Sequence, residues 1–171
     1  MDIDSNKSYK IRAAVSEDRQ AIAEIYVKSW NFAYKGIVPQ EFLDNLNEKK
    51  YLDRLKEKDV PDEVVFELNG RVVGLAKLID CRDRDLENTA EVQTIYFLQE
   101  FTGRGYGVLL LDWLRDYAVS AGYKKIIIWG LSANLRAGKA YMKAGLAKDI
   151  DRFIEIGGKQ LQETRYIMGL K

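Results

Sequence analysis

EVQTIYFLQEFTGRGYGVLLLDWL, residues Glu91–Leu114, is a strand, a glycine-rich loop and a helix in immediate succession. The β-rich run Thr89–Leu98 supplies the strand and QEFTGRGYG the loop. From about Val108 to Ala121, the residues Leu110, Leu111, Leu114, Tyr117, Ala118 and Ala121 share one face of a helix, and Gly122 suits its end. Gly103, Arg104, Gly105, Tyr106 and Gly107 therefore sit where backbone N–H groups are left unpaired and the helix dipole favours an anion. Glycines at 103, 105 and 107 let the chain approach a phosphate without obstruction, and Arg104 offers a charge-assisted contact. The spacing is not that of a dinucleotide fold. Counting G-x-G-x-x-G from Gly103 ends on Val108, and from Gly105 on Leu110; a Walker A loop is also absent. An ordinary glycine-rich strand–helix turn is the competing reading.

Outward from this unit, the hydrophobic pattern alternates between strand and helix periods. Tyr9–Ala14 reads as a first strand. Ser16 is placed as the N-cap of a helix carrying Ala21, Ile22, Ile25 and Tyr26 at helical spacing up to about Trp30. Gly36 and Pro39 break it; Pro39 suits the first turn of a second helix through Leu46, and a charged helical stretch, Glu48–Lys58, ends before Pro61. Glu63–Leu68 and Arg71–Ile79 flank Asn69-Gly70, the dipeptide a type I′ hairpin requires. Asp80–Asn88 reads as a solvated charged loop, although Asp80, Asp83, Asp85 and Glu87 would also suit a polyamine. Lys125–Leu131 is a strand covered on both faces, and Leu135–Lys143 a helix between Asn134 and Gly145. A last hairpin runs Ile150–Ile156, Gly157-Gly158, Gln162–Met168. The order predicts an α/β chain with a mixed sheet flanked by helices.

Composition narrows the chemistry. One domain over residues 1–171 fits the length, with residues 1–8 as a flexible leader. The chain has no histidine, which removes Ser-His and Cys-His nucleophiles and imidazole metal sites. Its single cysteine, Cys81, rules out an internal disulfide or a cysteine metal cluster and is read as a buried apolar residue. No metal is expected. A net charge of +1 gives no general pull toward nucleic acid or anionic membrane. The leader MDIDSNKSYK has no apolar core, and no run nears the ~18 residues of a membrane span. A cytoplasmic location is expected.

Two motifs in order carry a resemblance. Thr102-Gly103-Arg104-Gly105-Tyr106-Gly107 follows Ile95-Tyr96-Phe97, and Asn134-Leu-Arg-Ala137-Gly-Lys-Ala140-Tyr141-Met-Lys-Ala-Gly145-Leu146 comes later. These resemble the phosphate loop Gln/Arg-x-x-Gly-x-Gly/Ala and the run Asn-x-x-Ala-x-x-Phe-Tyr-x-x-x-Gly-Phe of the GNAT family of acyl-CoA-dependent N-acetyltransferases. Thr102 stands where the family has Gln or Arg, Ala140 and Leu146 where it has phenylalanine, and no proline follows Leu98.

The resemblance implies a mostly antiparallel mixed sheet of roughly seven strands with about four helices. Two central parallel strands would splay around acetyl-CoA, the acyl donor. It implies direct attack by a primary amine in a ternary complex, with Thr102, Gly103, Arg104, Gly105, Tyr106, Gly107, Val108 and Asn134 holding the cofactor. The backbones of Phe97 and Leu98 would bind the pantetheine arm and polarise the thioester. Tyr141 is implied as the acid for the leaving thiolate, against a plain core role. Glu91 is the candidate base, directly or through water, against a solvated strand residue. Trp30 and Tyr34 fall where the family builds its acceptor site, here expected to take a small-molecule amine. A peptide acceptor or a non-catalytic acyl-CoA sensor is the alternative, and a homodimer is allowed.

Overall fold

The computed structural model describes residues 8–57 and 62–171. Its strands are β1 (Tyr9–Ala13), β2 (Val64–Leu68), β3 (Arg71–Asp80), β4 (Thr89–Phe97), β5 (Lys125–Leu131), β6 (Ala147–Ile156) and β7 (Lys159–Gly169). Its helices are α1 (Arg19–Ala33), α2 (Gln40–Asp44), α3 (Glu48–Leu55), α4 (Tyr106–Ser120) and α5 (Leu135–Lys143). The strands form one open seven-stranded sheet in the order β1-β2-β3-β4-β5-β7-β6. Only β4 and β5 pair in parallel; every other neighbouring pair is antiparallel. This is the expected mixed sheet, with five helices among the described residues rather than about four. None of those helices is long and apolar enough to cross a membrane.

Strand alternation divides the core. Phe66, Val73, Ile126 and Ile128 point to the side covered by α4 and α5, where they meet Leu110, Leu114 and Tyr141. Val65 and Leu75 point to the other side and pack on Ile22, Ile25 and Leu55 of α1 and α3. A third cluster, Val38, Leu43, Leu131 and Leu161, seats α2 on the β5–β7 end.

Local turn chemistry explains most boundaries. Asn69 and Gly70 take φ of 50° and 80°, the two positive values a type I′ turn demands. Ser16 does not cap α1. It opens a single 3-10 turn, Ser16–Asp18, and the Asp18 carboxylate instead accepts from Val15 N–H (2.8 Å) and holds Arg12. The helix runs three residues past Trp30 because no breaker precedes Gly36. Pro39 stands just before α2 rather than inside it. Lys58 and Pro61, like the leader up to residue 7, lie outside the described residues.

The largest correction concerns the charged loop between β3 and β4. Most of its residues are exposed, as expected of a solvated loop, but it is also fastened to the sheet through Asp83 and Asp85. Asp83 accepts from Trp129 Nε1 (2.9 Å) and pairs with Arg165 (2.9 Å) and Arg152 (3.3 Å), while Asp85 pairs with Arg165 (2.8 Å). Arg165 is 3% exposed and also holds Asp149, so its charge is compensated on several sides. With Asp83 and Asp85 consumed in this way, the loop has little left to offer a polyamine.

The feature that positions the site is a parting of the sheet. Parallel pairing between β4 and β5 covers only Thr89↔Lys125 to Val92↔Ile128. Beyond it, β4 stays with β3 up to Gly74↔Phe97, and β5 stays with β7 up to Leu131↔Glu163. A register shift at Lys77/Leu78, opposite Val92–Thr94, bends β4 where the two strands separate.

Candidate active site

A cleft of about 310 Å³ opens at this parting. Its walls come from the end of α1, the free half of β4, the glycine loop and α5. Thr102, Gly103, Gly105, Gly107 and Val108 all line it. Gly105 precedes α4 in the left-handed conformation, φ 86°, and its carbonyl accepts from the amides of Val108 and Leu109. The turn is therefore tighter than the sequence suggested, and α4 starts at Tyr106 rather than Val108. No side chain caps the helix, so its first amides remain available to a ligand. A Cβ built on Gly103, Gly105 or Gly107 would meet nothing within 4 Å. These glycines face open space, which is what a phosphate cradle of bare backbone needs.

The neighbouring side chains are mostly occupied elsewhere. The Thr102 hydroxyl donates to Gln99 C=O (2.8 Å), closing the loop. Arg104 is exposed beside Phe101, off the cleft wall. The Tyr106 ring turns inward against Phe66 and Phe97, leaving only its backbone at the loop.

On the parted strand, the Leu98 amide donates to Val73 C=O (3.0 Å) and is not free. Antiparallel alternation then turns the polar groups of Phe97 the other way, toward the gap beside β5. There the Phe97 carbonyl is held by the hydroxyl of Ser29, 2.8 Å away and 3% exposed, while the Phe97 side chain packs in the core. Ser29 carried no sequence signal, since its partner lies 68 residues away.

Tyr141 lines the cleft from α5 and is 8% exposed. Its ring lies against Gly130 on the free end of β5 and edge-on to Tyr166, with ring centres 5.2 Å apart. Burial, reinforced by the nearby Tyr34 and Tyr166 phenols, pushes the Tyr141 phenol well above its ordinary value, so it stays protonated. Asn134 also lines the cleft, and its side chain caps α5 by accepting from Ala137 N–H (3.3 Å). Tyr34 and Tyr96 complete an aromatic wall; burial raises both phenols. Trp30 stands behind that wall, donating Nε1–H to Tyr96 Oη (3.0 Å) with its ring edge-on to Tyr34.

Glu91 is set apart from these groups. It is 1% exposed on β4 and does not line the cleft. One oxygen accepts from Arg82 N–H and Nε–H (3.2 Å each), and the other from the end of the same guanidinium. Arg136, Lys139 and Lys143 line the cleft without having been singled out in the sequence.

A family model for the acetyltransferase (GNAT) family matches residues 19–146. The chain belongs to this GNAT family. It is similar to the uncharacterized N-acetyltransferase YuaI of Bacillus subtilis, 29% identical over 157 residues that cover 90% of this chain and 89% of that one. Among solved structures, an N-acetyltransferase from Staphylococcus aureus Mu50 superposes with a TM-score of 0.75 at 22% identity, covering 96% of this chain and 99% of that one. The acetyltransferase yncA of Salmonella typhimurium, solved with its cofactor acetyl-CoA, superposes at 0.72 with 23% identity, over 95% and 94% of the two chains. These structures share the fold. Family membership makes the GNAT chain described here an acyltransferase.

Proposed function

We propose that this GNAT protein transfers an acetyl group from acetyl-CoA to the primary amine of a small molecule, by direct attack within a ternary complex. One observation carries the reading: an uncapped, glycine-faced helix N-terminus and a buried, protonated tyrosine open onto the same cleft. The yncA structure, with acetyl-CoA bound to the same fold, supports the choice of donor. When bound, acetyl-CoA supplies an acyl group already activated as a thioester.

This chain's residues do the rest. The amides of the Gly103–Gly107 loop hold the pyrophosphate, and Asn134 keeps α5 in register beside it. The Phe97 amide, fixed in direction by Ser29 on its carbonyl, orients and polarises the acyl oxygen. Tyr141 holds a proton at Oη for the departing sulfur. Tyr34, with Trp30 behind it, presents an aromatic wall to the incoming amine. Among the described residues no carboxylate lines the cleft, so the ammonium proton leaves through water; we place Glu91, buried on β4, at the end of that path. The lone thiol of Cys81 suits a reducing cytoplasm.

Tyr141→Phe tests the reading. It keeps the ring and its packing and removes only the hydroxyl. Acetyl-CoA affinity is expected to hold while kcat falls about 10–10³-fold with a panel of amines. Full turnover with a lowered thermal midpoint would make Tyr141 a core residue and remove the proposed acid.

A further inference from the structure

We propose that Tyr166, Gly130 and Gly138 form a clamp that sets where the Tyr141 hydroxyl stands, acting as positioning residues. The inference rests on the acid assigned to Tyr141 above. Two glycines stand where no turn explains them. Gly130 lies within β5 and Gly138 within α5, and neither has a positive φ. Inside a strand or a helix glycine is a poor choice unless something must come close to the backbone. At both places something does. A Cβ on Gly138 would stand 2.4 Å from the Tyr166 hydroxyl, and one on Gly130 would stand 3.1 Å from the Tyr141 ring and 3.9 Å from the Tyr166 ring. Both glycines are notches, and the two tyrosines fill them.

The arrangement closes on Tyr141. Gly138 and Tyr141 are three residues apart on α5, so they share the face that meets the sheet, where both are buried. Tyr166 reaches that face from β7 and is 5% exposed. Its ring meets the Tyr141 ring edge-on, centres 5.2 Å apart, while its hydroxyl enters the notch at Gly138. The Tyr141 ring is thus held by Gly130, on the free half of β5, and by Tyr166. Neither glycine lines the cleft, nor does Tyr166, so their effect on the reaction passes through Tyr141. Close-packed interiors transmit displacements, and an acid must stand within hydrogen-bond reach of the atom it serves. A methyl added at 138 comes about 1 Å too near the Tyr166 oxygen for ordinary contact. Relief comes from Tyr166 tipping toward Tyr141 or from α5 lifting off the sheet. Either moves the Tyr141 hydroxyl.

The test is a rescue. Gly138→Ala should lower kcat about ten-fold while acetyl-CoA affinity holds, as expected when a reacting group is displaced by a fraction of an ångström. Tyr166→Phe deletes the atom that the methyl strikes and leaves the next ring atom at 3.3 Å. The Gly138→Ala/Tyr166→Phe double variant should therefore recover to the kcat of Tyr166→Phe alone. In a Tyr141→Phe background, Gly138→Ala should lower kcat no further. Steady-state kinetics with the amine that the wild type acetylates fastest, titration with acetyl-CoA and thermal midpoints on the same preparations supply the readouts. A glycine retained for no packing reason predicts the reverse, a raised midpoint from better helix propensity and wild-type kcat. Wild-type kcat in Gly138→Ala, or a loss that Tyr166→Phe does not rescue, would overturn the clamp and leave the acid standing. Wild-type kcat in Tyr141→Phe would instead remove the acid, and with it what the clamp holds.

Discussion

Gly107→Ala separates a ligand cradle from a mere turn, because the two readings predict different outcomes. Gly107 is the second residue of α4, its φ is not in the left-handed region, and an added Cβ meets nothing within 4 Å. Alanine in place of glycine within a helix stabilises by up to about 1 kcal/mol, less in a first turn, so about 0.5 kcal/mol is a fair expectation. For a chain of this size that is a rise of about 1–2 °C in the unliganded midpoint. The same methyl projects into the cleft that Gly107 lines. It should weaken acetyl-CoA binding about ten-fold or more, as one displaced charge-assisted contact does. Gly105→Ala supplies the contrast. At φ 86° a side chain costs about 1–2 kcal/mol, so its midpoint should fall by about 2–8 °C, with the same loss of affinity. Calorimetric melting without ligand and titration with acetyl-CoA on one preparation of each variant give both numbers. A Gly107→Ala protein with a raised midpoint and wild-type affinity would refute the cradle and leave the glycines as turn formers.

Ser29→Ala should leave the buried Phe97 carbonyl without its donor, at a cost of about 1–3 kcal/mol, and lower kcat more than it changes the acetyl-CoA KM. Ser29→Thr, which keeps the hydroxyl, should restore kcat; a kcat indifferent to both variants would confine Ser29 to folding. Glu91→Gln should lower kcat about 10²-fold near neutral pH and recover as the pH rises and free amine accumulates. A flat, wild-type pH profile with a lowered midpoint would instead make Glu91 the anchor of Arg82. Burial raises the phenols of Tyr96, Tyr141 and Tyr51, so the folded chain keeps protons that the unfolded chain releases near pH ~10. Stability is thus intact below that pH and should fall as the pH climbs above it. Urea unfolding at neutral and strongly alkaline pH measures the loss, and Tyr141→Phe should reduce its slope.

What could be read from the sequence divides by how far apart the partners lie. Asn69-Gly70 sets its turn by two residues' φ, and β5 and α5 fall where the apolar run, the Asn134 cap and Gly145 put them. The glycine loop is legible for the same reason: a cradle of consecutive amides is made from consecutive residues. The rest of the site is assembled across the chain. The parting of β4 from β5 ends at Val92↔Ile128, a register that neither strand's own pattern records. Ser29 meets Phe97 across 68 residues, and Asp83 meets Arg165 across 82, so one looked unremarkable and the other solvated. Glu91 shows the consequence most plainly. Its position suggested a base, yet Arg82, brought over it by the docked loop, holds both of its oxygens. Any proton path to Glu91 must therefore compete with that guanidinium, a constraint that becomes visible only once the loop is seen to be fastened to the sheet.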